Sequence, residues 1–527
     1  MKKILISDQV NEKSVALLES AGFEVTYNTK LTRDELLKMI PDFNALIVRS
    51  ATKVDSELIS AMINMEVIGR AGTGVDNIDI KAASRKGILV MNTPDGNTIS
   101  TAEHTFAMIL ALCRNIPQAV RSLAEGKWDR KKYSGTELRG KTLAVLGLGK
   151  IGKEVAKRAR AFGMNVIGFD PLISSDKANE LGVEIFPLDQ IWSKADFITV
   201  HVPFNESTKN LLSKITFEKC KKGVKIINCA RGGIVNEQDI VEAIDKGIVS
   251  GAAFDVYVKE PPEFSNIIFN HPKIICTPHL GASTDEAQEL VATQISEQIR
   301  DYFAANKITA AVNIRGFAEN MDKDSLSFIH LCESLGVFTS QLLTDQLKSI
   351  DIILSGKSLH KLDAELSTAF QKGFLANRVD QIVTFVNAQL LFDEMNIRVT
   401  IKKSDDSSIY KNLVTAEIHT EKDDRVFAAT LFGVDEIRIV KIDNYDVELN
   451  PTGYMLLYIN EDKPGMLASV GKILADANIN IAGLSLGRIE KGKQALTFIN
   501  IDSRIPDSIL QVIKSLDGIF EVYQIII

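Results

Sequence analysis

The sequence predicts an α/β chain of several domains. One parallel α/β unit is inserted into another, and an α+β region and a small β-α-β-β-α-β module follow. Three observations predict this. At 527 residues the chain exceeds what one hydrophobic core supports and should divide into three or four domains. Short apolar runs alternate with helical patterns in two successive blocks, which is the signature of a parallel sheet faced with helices. The last block, residues 453–527, changes to a compact order of strands and helices typical of a ferredoxin-like fold.

In the first block, Ile4-Leu5-Ile6, Glu24-Val25-Thr26, Ala45 to Val48, Val67-Ile68 and Ile88-Leu89-Val90 read as strands. Between them, residues such as Val15, Leu17 and Leu18 recur at helical spacing. One long helix is expected from Thr98 to about Glu125, with Ala102, Phe106, Ile109 and Leu110 on its apolar face. The alternation then restarts with Thr142 to Leu146, Val166 to Phe169, Phe197 to Val200, Lys225 to Cys229, Ala252 to Phe254 and Ile274 to Cys276. A second long helix, Asp285 to Ala304, is expected to return the chain to the first unit. The domains are therefore expected at 1–97 with 283–312, at 98–282, at 313–450 and at 453–527. The third carries helical patterns and amphipathic strands but no catalytic signature. In the tail, strands Met455 to Ile459, Ala482 to Ile489, Ala495 to Ile501 and Val522 to Ile526 enclose helices Met466 to Ala477 and Asp507 to Ser515.

Composition narrows the class. The chain is 45% hydrophobic and 24% charged, with a net charge of −7, as expected of a globular protein. No basic run points to nucleic acid or an anionic membrane. The five cysteines lack CxxC spacing, which suggests reduced thiols in a cytoplasmic protein and neither a metal site nor a disulfide framework. Asp8, Asn11 and Glu12 interrupt the first apolar run too early for an export signal. No apolar stretch approaches the roughly 18 residues of a membrane span.

Gly147-Leu148-Gly149-Lys150-Ile151-Gly152 is a G-x-G-x-x-G loop. Alone that pattern is weak. Here it follows a buried-strand run and opens a helix, and Asp170 stands 18 residues after Gly152 at the end of the next strand. The glycines let the backbone approach a pyrophosphate at a helix N-terminus, the arrangement of a Rossmann domain. A carboxylate at Asp170 would accept the ribose hydroxyls and repel a 2′-phosphate, so NAD is expected over NADP. The bland reading is a glycine turn that only packs strand on helix.

Downstream, Arg231, Glu260 and His279 each follow a strand of the same unit. Oxidising an alcohol beside a carboxylate needs a base, a cation and a hydride acceptor. His279, with an ordinary pKa of about 6.5, suits the base. Glu260 would hold its second nitrogen, and Arg231 offers a planar fork to the substrate carboxylate and carbonyl oxygen. Taken singly these would be a packing histidine, a solvated acid and a surface cation; their shared position at strand C-termini favours the catalytic reading. Of the other histidines, His201 is expected to line the cofactor pocket and His104 to be a packed helix residue, while His271, His330, His360 and His419 have no partner the sequence identifies. In the first unit, Arg49 and Arg70 follow adjacent strand runs, and Gly72 and Gly74 flank Thr73 in a turn whose amides could face an anion. An extra anionic group on the substrate, such as a phosphate, would engage both arginines. The alternative is that Arg70 braces the turn.

These runs, Arg70 to Asn77, the glycine loop, Asn228 to Gly233, Ala252 to Val256, Glu260-Pro261 and Pro278 to Ala282, resemble the D-isomer-specific 2-hydroxyacid dehydrogenase family, in particular its long-form phosphoglycerate dehydrogenases. The resemblance implies a Rossmann domain inserted in a flavodoxin-like substrate domain, then an α+β intervening domain and a ferredoxin-like ACT domain. It implies Arg231, Glu260 and His279 as the catalytic set. Thr73, Gly147, Gly149, Lys150, Ile151, Gly152, Asp170, Val202, Cys229, Asp255, Gly281 and Ala282 would contact NAD, with Asp255 on the nicotinamide amide. Arg49, Arg70, Gly72 and Gly74 would meet the substrate. The implied reaction is NAD-dependent oxidation of 3-phospho-D-glycerate to 3-phosphohydroxypyruvate, at the entry to serine synthesis. The ACT module would place Asn460, Asp462, Gly465 and Asn480 at an L-serine site, and the assembly would be a homodimer or homotetramer. Two other readings are a glyoxylate or hydroxypyruvate reductase of the same superfamily and an NADH-sensing interaction protein.

Overall fold

The computed structural model describes residues 1–314, 316, 321–405 and 409–527. Strands Lys3–Ile6, Glu24–Tyr27, Ala45–Val48, Val67–Arg70 and Leu89–Met91 form a parallel sheet in the order 2-1-3-4-5, the flavodoxin-like order. The central strand Ala45–Val48 is buried along its whole length. Helices cover both faces of such a sheet, so its strands are continuously apolar rather than alternating.

The second sheet has seven parallel strands. Numbered within this unit they run 7-6-5-4-1-2-3, the Rossmann order with one strand added beyond the sixth. The sequence reading found six of them; the two-residue strand Glu184–Ile185 is too short to show an apolar period. Strand order reverses between Thr142–Leu146 and Phe197–Val200, which are hydrogen-bonded neighbours. The crevice beyond that reversal is where such sheets bind ligands.

The expected long helix is two helices. Thr98–Arg114 ends on Asn115 at φ +52, and Ile116–Ala124 follows with a proline in its first turn. Asparagine tolerates the left-handed cap, and Pro117 lacks the N–H that would bond the Cys113 carbonyl in a continuous helix; that carbonyl accepts from Thr136 N at 3.0 Å. These two local effects override an unbroken apolar period. Helix Asp285–Ala305, capped by Thr284, carries the chain back. There Val312 N donates to Val90 O at 2.8 Å and Asn313 Oδ1 accepts from Val90 N at 2.9 Å, fastening the return to the edge of the first sheet.

Beyond it, helices Lys323–Gln341 and Asp363–Leu375 lie close together. A β-carbon at Gly336 or Gly373 would collide with the other helix's backbone, so the two glycines set the approach. These helices cover a six-stranded sheet whose only parallel pair among the described residues is Leu347–Ser355 with Arg398–Ser404. The tail sheet has the order 2-3-1-4, from strands Tyr454–Glu461, Ile481–Arg488, Gln494–Ile501 and Ile519–Ile526, which is ferredoxin-like. Its two faces have different partners. Leu456, Tyr458 and Ile499 pack on helices Met466–Asp476 and Asp507–Lys514. Met455, Leu457, Phe498 and Ile525 join the core of the preceding region, where the Phe338 ring lies 6.5 Å from that of Phe498 and 6.4 Å from that of Phe427. The third and fourth regions therefore share one hydrophobic core. This combined body touches the first unit where Thr384 Oγ1 donates to Gly87 O at 3.0 Å and Arg85 pairs with Glu394 at 3.3 Å. Among the described residues no helix is long and apolar enough to cross a membrane.

Candidate active site

The glycine loop leaves strand Thr142–Leu146 and opens helix Lys150–Ala161 at the point of strand reversal. Its three glycines answer to different constraints. Gly147 takes φ +95, and a β-carbon there would strike the His201 carbonyl. Gly152 abuts the Gly147 carbonyl, bringing helix onto strand. A β-carbon on Gly149 would meet nothing within 4 Å, so its surface is open beside a helix N-terminus that favours anions. That combination fits a dinucleotide pyrophosphate. Asp170 ends the next strand and accepts from Leu148 N and Leu172 N, each at 2.8 Å. Bonded on both oxygens, the carboxylate is held against the loop. Lys150 forms an ion pair with Asp95 of the first unit. Val202 and Ile151 are partly buried walls, and Ala282 is half-buried. Thr73 Oγ1 donates to Asn97 Oδ1 at 2.7 Å. Cys229 is buried, which drives its thiol well up and keeps it neutral. His201 lies beneath the loop and shares a 3.0 Å hydrogen bond with Thr199; burial pushes its pKa down to about 4, so it is neutral at ordinary pH.

Three neighbouring strands of the same sheet deliver the catalytic candidates. Arg231 follows Val224–Asn228, Glu260 follows Val249–Phe254, and His279 follows Ile274–Cys276. His279 Nδ1 lies 2.6 Å from Glu260 Oε2, while Glu260 Oε1 accepts from Tyr257 N at 3.0 Å. An ionised Glu260 only accepts, so Nδ1 carries the proton and Nε2 presents its lone pair. The His279 backbone sits at φ +56, a region that costs a β-carbon-bearing residue roughly 1–2 kcal/mol. Neighbouring bonds hold that turn: Leu280 N and Gly281 N donate to the two oxygens of Asp255 at 2.7 and 2.8 Å, and Thr277 Oγ1 donates to it at 2.7 Å. Burial alone would raise the Asp255 carboxyl, but the hydrogen bonds from His104, Thr277 and Leu280 outweigh it and hold the group below its ordinary value. The residue is fully buried. Its carboxylate is bonded to the turn at residues 277–281.

Across the cleft, Arg231 Nε donates to Asp76 Oδ2 at 3.0 Å and Nη1 to its neighbour's carbonyl, Ala230 O, at 2.7 Å. Nη2 lies against Gly74, and the Arg70 guanidinium lies against Gly72; a β-carbon on either glycine would occupy the space of the adjacent cation. Arg49 is held by Gln9 O and Gln288 Oε1, both at 3.2 Å. Burial, then repulsion from Arg231, push the Arg70 pKa down to about 10, and Arg49 adds to the effect. Among the described residues, Arg70 Nε is buried without a hydrogen-bond partner. Three cations close enough to repel, one with an unused donor, form a site that a multiply charged anion would complete.

Residues 106–281 match the family model for the NAD-binding domain of D-isomer-specific 2-hydroxyacid dehydrogenases. Residues 326–443 match the D-3-phosphoglycerate dehydrogenase intervening domain, and residues 454–518 match the ACT domain. The D-3-phosphoglycerate dehydrogenase of Archaeoglobus fulgidus is 40% identical over 521 residues, covering 98% of this chain and 99% of that protein. The Bacillus subtilis protein of the same name is 40% identical over 525 residues, covering 99% of each. The chain belongs to the D-3-phosphoglycerate dehydrogenase family. Solved structures match over less of it. The TT0316 protein of Thermus thermophilus aligns with TM-score 0.54 and 29% identity over 59% of this chain and 99% of its own. A glyoxylate reductase from Paecilomyes thermophila aligns with TM-score 0.55 and 27% identity over 59% and 98%.

Within this dehydrogenase framework the candidate effector residues divide between the two ends of the ACT sheet: Asn460, Asp462 and Gly465 lie at or beyond the end where Asn460 pairs with Ala495, and Asn480 lies at the other, where Ile481 pairs with Ile501. Gly465, at φ +96, caps helix Met466–Asp476. Asp462 accepts from Gly492 N at 2.9 Å, and Asn480 Nδ2 donates to Asp502 at 2.8 Å. Asn460 differs from the other three: it is 4% exposed, accepting from Thr497 and donating to Glu461 O. Its side chain is directed into the sheet.

Sequence reasoning missed two partners of the site. Asp76, inside a run that was recognised, orients Arg231. His104, expected to be a packed residue, is largely buried and also lies 3.1 Å from Asp255. The readable signal was the polar row Ser100, Thr101 and His104 on the first turns of a helix whose later turns are mostly apolar. His271, His360 and His419 also have partners: Asp245, the carbonyls of Leu354 and Ser404, and Asp424.

Proposed function

We propose that this chain oxidises 3-phospho-D-glycerate to 3-phosphohydroxypyruvate with NAD, the first step from glycolysis toward L-serine. The observation that carries the reading is the cluster of Arg49, Arg70 and Arg231 with the partnerless Arg70 Nε, a site for a substrate with two anionic ends. The name of the full-length relatives supports the same substrate. The residues fit the cofactor at Gly147, Gly149, Gly152 and Asp170, and bound NAD supplies the hydride acceptor. His279 Nε2 takes the hydroxyl proton. Glu260 keeps Nδ1 protonated and stabilises the imidazolium that results. Arg231 holds the substrate carboxylate and carbonyl oxygen through guanidinium N–H groups, and Arg70 with Arg49 takes the phosphate.

Residues 1–97 with 283–312 form the substrate domain in this reading, 98–282 the NAD domain, 313–450 the intervening domain and 453–527 the ACT domain. Asp462 and Gly465 at one end of the ACT sheet and Asn480 at the other are the candidate contacts to L-serine, with Asn460 a further candidate; the protein is a cytoplasmic homodimer or homotetramer, and serine lowers its rate. A reductase restricted to glyoxylate would give Arg70 no anion to bind. Arg70→Ala should raise KM for the phosphorylated substrate by roughly ten- to a hundredfold, the loss of a hydrogen bond to a charged group, with little change for unphosphorylated hydroxypyruvate. Steady-state kinetics on both substrates checks this. An unchanged KM would make Arg70 a brace for the turn.

A further inference from the structure

We infer that His104 is a positioning residue for the reaction, acting through Asp255 to hold the backbone turn that presents His279. The inference rests on the reading of His279 as the base. Helix Thr98–Arg114 sends Ala102, Phe106 and Ile109 into the core. Its first two turns also set Ser100, Thr101 and His104 against residues 277–281. Ser100 Oγ and Thr101 Oγ1 donate to the Gly281 carbonyl at 2.7 and 3.2 Å. His104 Nε2 lies 3.1 Å from Asp255 Oδ1 and 3.3 Å from Thr277 Oγ1.

The chemistry of these groups settles which atom donates. An ionised carboxylate only accepts. Thr277 commits its single proton to Asp255 at 2.7 Å, so Nε2 carries the hydrogen, facing Thr277 Oγ1 and Asp255 Oδ1 together. Oδ1 receives Thr277 Oγ1 and Leu280 N and has His104 Nε2 3.1 Å away, while Oδ2 receives Gly281 N. The side chains are 18% and 1% exposed, so the bond is sheltered from water and its loss would not be made good by solvent. Both amides that follow His279 end on this one carboxylate. A shift of Asp255 therefore moves a turn already at φ +56 and with it the imidazole held by Glu260. A residue present only for packing would need no donor at this position.

His104→Leu fills the space without a donor, and kcat should fall roughly ten- to a hundredfold. The side chains of Arg49 and Arg231 bond to Gln9, Gln288, Asp76 and Ala230, so KM for the phosphorylated substrate should stay within about twofold. His104→Gln places an amide N–H near the same point and should restore most of kcat. Thermal melting of both variants monitors folding. A leucine variant with wild-type kcat would overturn the inference, as would equal kcat losses in the leucine and glutamine variants. His279→Ala is measured alongside. If that variant keeps full turnover, the base assignment fails and this inference fails with it. If it is inactive, the His104 pair judges the inference alone.

Discussion

Replacing His279 with alanine should lower kcat by roughly 10²- to 10⁴-fold, the range for loss of a general acid–base group, while the Kd for NADH stays close to that of the unaltered protein. The two readouts separate because the proposed cofactor cradle is built from other atoms. The glycine loop, Asp170 and the buried strand ends do not depend on the imidazole, which is bonded at Nδ1 to Glu260 and leaves Nε2 toward the cleft. The imidazole is about half exposed and Glu260 about a third, so substrate can reach the pair. Single-turnover kinetics with a separate NADH titration checks this. Parallel losses in kcat and NADH affinity would mean that His279 supports the cofactor pocket instead of moving a proton.

Arg231→Lys should lower kcat/KM by roughly 10²- to 10³-fold, comparable to loss of a preorganised donor to developing negative charge. Charge alone is insufficient here. Asp76 fixes Nε and Ala230 O fixes Nη1, so the fork is oriented before substrate arrives. An ammonium cannot reproduce two planar donors or keep both supports. Steady-state kinetics of the lysine and alanine variants measures the effect. A lysine variant within a few-fold of the unaltered protein would show that Arg231 serves only as a positive charge.

The parts of this architecture readable in the sequence were those with local causes. A strand, a glycine turn, a helix and a following acid occupy consecutive positions, so Gly147 to Asp170 is recognisable without any tertiary contact. Arg231, Glu260 and His279 could be grouped because each follows a strand of one sheet, and parallel topology gathers those ends at one edge. The helix break at Asn115 is also local: Asn115-Ile116-Pro117 carries the signal, and the apolar period that runs across it masks the turn. The two-residue strand Glu184–Ile185 carries no period to detect.

What could not be read depends on tertiary approach. Asp76 and Arg231 are separated by 155 positions, and His104 reaches Asp255 from a different element. The core shared by the intervening and ACT regions was hidden for another reason. Strand Tyr454–Glu461 is apolar on both faces, which shows that both are covered but not by what. Asn460 illustrates the same limit: a position beside the ACT loop does not reveal that its amide is turned into the sheet.

The most direct test of the central claim is NADH oxidation by the purified protein with 3-phosphohydroxypyruvate, compared with unphosphorylated hydroxypyruvate and glyoxylate under the same conditions. The arginine cluster predicts kcat/KM for the phosphorylated ketoacid at least about 10²-fold above either competitor, the combined effect of charged hydrogen bonds that the competitors cannot make. Equal or higher efficiency with glyoxylate or hydroxypyruvate would contradict it, and would leave Arg49 and Arg70 without an anion to bind.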